Sequence, residues 1–253
     1  MPFPRHKLTS DKFLGGRVTA WQPKDGYRAA TDPVLLAAAV DARTGQSVLE
    51  LGCGVGVAIL CLGARIPDLS LVGVERQADY ADLAVRNAGE NGADFEGITA
   101  DISSLPDALR IRSFDHVFFN PPYYPAGGGT PARNPGREQA LREETPLSVW
   151  TDVACRRLTP KGWLTTITLA ERLPELLAAL PPSMGSIAIK PLTSRLGRPA
   201  GRILLRTRKA GRAATQLLAP LVLHQGKSHL KDGDDYTDEA QAIFRQGQAL
   251  NWV

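Results

Sequence analysis

Ser47-Val48-Leu49-Glu50-Leu51-Gly52-Cys53-Gly54-Val55-Gly56 decides the fold. An apolar run leads into glycines at every second position, and the helix-like stretch Val57–Arg65 follows at once. A buried strand, a tight glycine turn and a helix, in that order, open an open-sheet α/β fold. The glycines let the backbone turn sharply and approach a bound nucleoside without Cβ contacts. A dinucleotide fingerprint spaces its glycines G-x-G-x-x-G around a pyrophosphate. Here the spacing is G-x-G-x-G, with Glu50 beside the loop. A carboxylate repels a pyrophosphate but attracts an ammonium or sulfonium, so the loop suits a cationic nucleoside.

Working outward, the run Leu71-Val72-Gly73-Val74 ends in Glu75, 19 residues after Gly56. An acid at the tip of a second strand suits bidentate hydrogen bonding to ribose hydroxyls, and it also reads as a solvated strand end. Phe95–Ala100 reads as a third strand ending at Asp101. Asp101 is placed either to accept from an adenine amino group or to cap a helix beginning near Ser103.

Farther on, the apolar run Phe114–Phe119 reads as a buried parallel strand, and Asn120-Pro121-Pro122-Tyr123 follows directly. In an open α/β sheet, ligands bind outside the carboxyl ends of the strands. Asn120 offers a side-chain carbonyl, Pro121 fixes φ and removes a competing donor, and Tyr123 adds a flat aromatic face. Together they can grip a planar NH2 group, accepting its two hydrogens while a ring stacks on the attached heterocycle. The competing reading is an ordinary proline-rich turn.

The remaining elements alternate. Asp32–Asp41, Ala78–Asn91, Leu147–Arg157 and Arg172–Leu180 read as helices, and Trp163–Ala170, Ser186–Leu192 and Ile203–Thr207 as strands. Alternation implies a parallel sheet. The last two strands are joined only by a Gly/Pro/Arg-rich turn and read as an antiparallel pair. No internal repeat is present. The 253 residues fit one α/β domain over 1–253, burying roughly three-quarters of its unfolded surface. Within it, 1–44 reads as a basic N-terminal extension. Residues 123–146 read as a flexible substrate loop containing Gly127-Gly128-Gly129 and several prolines. In that loop Arg133, Arg137 and Arg142 are largely offset by Glu138, Glu143 and Glu144.

Composition excludes several classes. No run approaches the ~18 apolar residues of a membrane span, and the start has no apolar core of signal-peptide length, so the expected setting is the cytoplasm. Cys53, Cys61 and Cys155 are odd in number and lack metal or disulfide spacing. Cys53 reads as a packing residue rather than a nucleophile. The four histidines form no base-like set, and no metal is expected.

The net charge is only +4, yet from Leu176 to Lys231 there are ten Lys or Arg and no acid. Lys190, Arg195, Arg198, Arg202, Arg206, Arg208, Lys209 and Arg212 fall within 190–212, and Arg5, Lys7, Arg17, Lys24 and Arg28 crowd the start. Such one-sided fields attract phosphate backbones. Phe13, Trp21 and Tyr27 lie among the N-terminal basic residues, to stack on flipped bases or to pack against the sheet.

Taken together, Glu50–Gly56, Glu75, Ala100-Asp101 and Asn120-Pro121-Pro122-Tyr123 make the chain resemble the class I S-adenosylmethionine-dependent methyltransferases. Gly26-Tyr27-Arg28, Thr31-Asp32, Leu35-Leu36 and the ending Tyr236-Thr237-Asp238-Glu239-Ala240 resemble, more narrowly, the bacterial tRNA1(Val) adenine-N6 methyltransferase family. That family modifies the adenine just 3′ of the anticodon. The resemblance implies a Rossmann-like, doubly wound fold with a seven-stranded, mostly parallel sheet whose last strand is antiparallel. It implies S-adenosylmethionine as cofactor and tRNA as partner, with the chain a monomer or homodimer. By the same resemblance the cofactor residues are Glu50, Gly52, Cys53, Gly54, Gly56, Glu75, Asp101 and Asn120. Asp32 takes a supporting role near the cofactor, or else caps the helix at Pro33.

Asn120, Pro121, Pro122 and Tyr123 are then the catalytic set, and Tyr27, Arg28, Arg195, Arg198 and Arg202 the substrate-RNA residues. The same tetrapeptide occurs in release-factor glutamine methyltransferases and in DNA and rRNA enzymes. N5-glutamine methylation of a release factor and guanine-N2 methylation of rRNA therefore remain alternatives. Release-factor enzymes carry a larger helical domain before the glycine loop, whereas fewer than fifty residues, basic in character, precede it here. A non-catalytic RNA-binding module is the remaining class, and S-adenosylmethionine binding would distinguish it.

Overall fold

The computed structural model describes residues 3–122, 124–125, 142–143, 145–226 and 235–253. An antiparallel hairpin of β1 (Leu8–Phe13) and β2 (Val18–Pro23) comes first, followed by helix α1 (Asp32–Ala39). The strand–turn–helix unit read from the sequence is β3 (Ser47–Leu51) and α2 (Val57–Arg65). Next come β4 (Ser70–Glu75), α3 (Ala78–Glu90), β5 (Phe95–Thr99), the one-turn α4 (Asp107–Arg110) and β6 (Phe114–Phe119). The two-residue strands β7 (Tyr124–Pro125) and β8 (Arg142–Glu143) pair in parallel. The loop expected over 123–146, and Tyr123 with it, otherwise lies largely outside the described residues. The chain continues through α5 (Leu147–Arg157), β9 (Leu158–Leu169), α6 (Leu173–Ala179), β10 (Met184–Thr193) and β11 (Ala200–Lys209). Short strands β12 (Gln216–Leu217) and β13 (Leu221–Val222) and helix α7 (Asp238–Gln246) complete it. Among the described residues no helix is long and apolar enough to cross a membrane.

The long strands lie in the order β5–β4–β3–β6–β9–β11–β10, with β12 and β13 along the outer edge of β10. β3 pairs in parallel with β4 and β6, and β6 in parallel with β9, while β11 is antiparallel to both β9 and β10. This is the doubly wound arrangement of seven long strands, the last one reversed, that the resemblance implies. From β3 the chain steps outward through β4 and β5, then returns to β6 and steps the other way. The order reverses between β3 and β6, and a crevice opens there at the carboxyl ends of the strands.

Both faces of the central strands are covered. Val48, Phe118, Ile167 and Leu204 pack with α1, α2, α3 and α7, while Leu49, Leu51, Val117 and Phe119 pack with α5. Burial on both sides explains why these strands read as continuous apolar runs rather than as alternating patterns. Glu50 and His116 are the buried polar interruptions of β3 and β6. His116 Nε2 lies 3.1 Å from Gln46 Oε1, which can only accept, so Nε2 carries the proton. Burial lowers the His116 pKa to about 4, which keeps the ring neutral.

The N-terminal residues, read from sequence only as a basic extension, build the hairpin. Two asparagines one turn apart, Asn87 on α3 and Asn91 at its C-cap, supply a partner for the hairpin's inner strand. Asn91 Oδ1 accepts from Thr19 N at 3.0 Å and its Nδ2 donates to Thr19 O at 2.7 Å. Asn87 Oδ1 accepts from Trp21 N at 2.8 Å, and its Nδ2 donates to Trp21 O and to Val55 O in the glycine loop. Two side-chain amides thus imitate a neighbouring strand. The Trp21 ring lies between the Arg5 and Arg86 guanidinium groups, packed within the fold.

Candidate active site

Strand β3 delivers Glu50 and then Gly52 to the crevice. Alternation along β3 puts Glu50 on the face beneath α2, where its Oε2 accepts from the Ile59 amide at 3.1 Å. That amide is one of the unsatisfied donors in the first turn of the helix. Burial pushes the Glu50 carboxyl well above its ordinary range, and the nearby Glu75 charge adds to the shift. Gly52 sits at φ +69, and a Cβ there would lie 2.8 Å from the Trp150 ring. Gly54 sits at φ +54, and a Cβ there would meet no atom within 4 Å. Its bare Cα faces the cleft and leaves room for a ligand.

Glu75, at the tip of β4, is held by backbone donors on both oxygens. Gly54 N donates to Oε2 at 3.0 Å and Gln77 N to Oε1 at 2.9 Å. The Arg76 amide also hydrogen-bonds to the carboxylate, so the backbone around the strand tip fixes it in place. Burial raises its pKa too. Asp101 follows β5 and takes the capping role read from sequence. It lines the cleft, and it caps the short turn Ile102–Ser104 by accepting from Ser103 N at 2.8 Å and Ser103 Oγ at 2.7 Å. The Ser103 hydroxyl holds the Asp101 carboxyl below its ordinary range.

Opposite these acids stands the end of β6. Asn120, Pro121 and Pro122 line the same cleft as Glu50, Gly54 and Glu75. Asn120 Oδ1 is buried and accepts no hydrogen bond among the described residues. Leaving such an acceptor unmet is costly, so it marks a place for a donor. Cys53 also lines the cleft, and burial pushes its thiol far up, leaving it a protonated packing group.

Several expected site residues lie elsewhere. Gly56 is the N-cap of α2 at φ +86, where a Cβ would lie 3.3 Å from the Ala84 side chain of α3, and it is not among the residues lining the cleft. Asp32 pairs with Arg202, its Oδ2 3.0 Å from Arg202 Nε, while its neighbour Pro33 lines the cleft. Tyr27, expected among RNA residues, lines the cleft, its backbone N–H donating to the Tyr80 hydroxyl at 3.1 Å. Arg28 is drawn to Asp11 at 2.6 Å. Arg195 is buried and turned inward, 2.5 Å from Asp235, because an interior guanidinium needs a charged partner. Arg198 stands exposed on the turn between β10 and β11.

Sequence reasoning missed Trp150, whose ring tilts against Phe119 with centroids 5.4 Å apart and covers Gly52. Its helix was legible, but nothing local showed that it roofs the glycine loop.

A glycine loop with strand-end acids on one wall and Asn-Pro-Pro on the other defines the class I S-adenosylmethionine-dependent methyltransferases. The Gly54 cradle and the buried carboxylates fit that cofactor. The comparisons agree. Residues 29–131 match the family model described as "Methyltransferase small domain". A Porphyromonas gingivalis protein named tRNA1(Val) (adenine(37)-N6)-methyltransferase is 33% identical over 67% of this chain and 69% of its own length. One of the same name from Dickeya chrysanthemi is 30% identical over 97% and 98%. Among solved structures, a predicted O-methyltransferase from Agrobacterium tumefaciens superposes with a TM-score of 0.70 at 25% identity, covering 87% of this chain and 98% of that one. A 16S rRNA N2 G1207 methyltransferase from Thermus thermophilus, in complex with AdoMet and guanosine, has a TM-score of 0.56 at 20% identity and shares the fold. It is covered over 50% of its length by 80% of this chain.

The chain belongs to the family of the tRNA1(Val) (adenine(37)-N6)-methyltransferases. It is a methyltransferase whose cofactor is S-adenosylmethionine.

Proposed function

We propose that this enzyme methylates the N6 amine of an adenine in tRNA, the adenine 3′ of the anticodon in tRNA1(Val). The buried Asn120 Oδ1, an acceptor without a partner among the described residues at the mouth of the cleft, carries this reading. When bound, S-adenosylmethionine supplies a methyl group on a positively charged sulfur. Glu50 answers the cationic end of that cofactor, Glu75 the ribose hydroxyls and Asp101 the adenine amino group.

The chain's own work lies with the nitrogen. The N6 lone pair is delocalised into the adenine ring, so the amine is a poor nucleophile. Asn120 Oδ1 and the Pro121 carbonyl accept its two hydrogens, draw the lone pair out of conjugation and fix its direction. Pro121 and Pro122 carry no N–H that could compete for these acceptors. Tyr123, next in sequence, offers the ring face for a base taken out of its stack. No strong general base is needed, because the nitrogen becomes acidic once it carries an additional bond. Catalysis is mainly positioning and removal of water. Arg198 meets phosphate from the exposed turn, while Arg28 and Arg202 are held by their ion pairs with Asp11 and Asp32.

Asn120→Ala tests the mechanism. Turnover should fall by about a hundredfold or more, as when an aligned polar contact to the reacting group is removed. Cofactor Kd, measured by calorimetry, should stay within about threefold of wild type. Near-normal methylation by the variant would overturn the proposal.

A further inference from the structure

We propose that Arg172 is a positioning residue that sets the Pro121 carbonyl by clamping Pro122, with Glu175 holding the guanidinium in place. The inference rests on the function proposed above and extends it to a residue outside the cleft. β9 lies beside β6 in the sheet, and the single turn Ala170–Arg172 that ends it brings the arginine over to the loop after β6. Its side chain is 5% exposed. Arg172 Nη1 donates to Pro122 O at 2.7 Å, while Nε and Nη2 donate to Glu175 Oε2 and Oε1, each at 3.0 Å. A carboxylate engaging one edge of a guanidinium in two parallel bonds fixes its plane, and the other edge then delivers Nη1 in one direction.

The loop needs an outside anchor. Neither Pro121 nor Pro122 has an N–H, so the segment cannot hold itself with its own amides. Both φ angles are fixed by the rings, which leaves ψ as the main freedom at each residue. β6 secures the chain up to Phe119 through its register with β3 and β9. With Pro122 O held by Arg172, the segment is tied at both ends, and the Pro121 carbonyl between them loses its swing. An i,i+3 ion pair whose acid is 52% exposed would by itself contribute little. A buried guanidinium with a donor aimed at Pro122 O does more than pair with that acid.

The experiment compares wild type, Arg172→Ala, Arg172→Lys and Glu175→Gln for Tm, cofactor Kd, and kcat and KM with unmodified tRNA. Crystal structures of wild type and Arg172→Ala accompany them. In Arg172→Ala, kcat should fall by about 10- to 100-fold, the scale expected of a misplaced reacting group. KM and cofactor Kd should stay within about threefold. Added ethylguanidinium should restore part of the lost rate, Arg172→Lys should retain part of it, and the Pro121 carbonyl should be seen to turn. A folded Arg172→Ala with wild-type kcat, or one altered only in Tm and KM, would overturn the proposal. Should that variant fail to fold, the kcat-against-KM split in Arg172→Lys and Glu175→Gln decides the same point. If wild type left tRNA unmethylated, the functional reading would fall. The carbonyl position in the two crystal structures would still decide the clamp.

Discussion

At the scale of single residues, the cleft depends on carboxylates kept from water. Burial raises both Glu50 and Glu75, so each is easier to protonate than an exposed acid. A cationic ligand favours the ionised form and lowers those pKa values on binding. Affinity for S-adenosylmethionine should therefore rise with pH through a window above the ordinary 4.5 and weaken as the pH falls through it. Calorimetric titrations from about pH 8 down to about pH 5.5 would show this slope, up to tenfold in Kd per pH unit per proton. Glu50→Gln should flatten most of the slope and weaken binding by about tenfold; a slope that survives unchanged would assign it to another group. Glu75 was legible because it ends an apolar strand, and Glu50 because it interrupts an apolar run just before the glycines. Asp32, Arg195 and Arg202 were not, because a charge looks the same in sequence whether it faces solvent or an ion partner 170 or 40 positions away.

At the scale of elements, the agreement is closest where burial is two-sided. β6, α2 and α5 match their sequence readings residue for residue, since strong apolar runs with a glycine or proline near their ends leave little choice. The hairpin of β1 and β2 escaped notice because its partner is two asparagine side chains of α3 rather than another strand. α7 was not read as a helix, although Thr237 Oγ1 accepts from Ala240 N at 3.3 Å as its cap and Gly247 ends it at φ +65. Asn87 joins three elements while itself fully buried. Asn87→Ala should cost about 3 kcal/mol in urea unfolding, since it strands the Trp21 amide and the Val55 carbonyl along with its own lost bonds. A loss under about 0.5 kcal/mol would mean the hairpin is held by other contacts.

At the scale of the molecule, β11 runs antiparallel to its neighbours and distributes the basic segment over both ends of the sheet. Arg202 pairs in register with Leu169 at the crevice end of β9, whereas Arg208 pairs with Trp163, about 20 Å away at strand spacing. What reads in sequence as one charged field is two. Arg198→Ala, at the crevice end, should weaken tRNA binding and reduce the slope of log affinity against log salt by about one, while Arg208→Ala leaves both unchanged. Equal effects would place the RNA across the whole sheet.

Stability at acid pH is also a property of the whole molecule, because His116 is neutral in the folded state with a pKa of about 4 and takes up a proton near 6.5 when unfolded. The unfolded chain binds more protons in that window. Folding free energy should fall as the pH drops from 6.5 to about 4, by on the order of 3 kcal/mol, and His116→Gln should lose that dependence. The methyl acceptor is tested most directly by transfer of labelled methyl from S-adenosylmethionine to unmodified total tRNA, with rRNA and release factor in parallel, followed by nucleoside and peptide analysis. N6-methyladenosine in tRNA alone is the expected result; label found as N2-methylguanosine in rRNA, on a release-factor glutamine, or nowhere would contradict an adenine in tRNA as the acceptor.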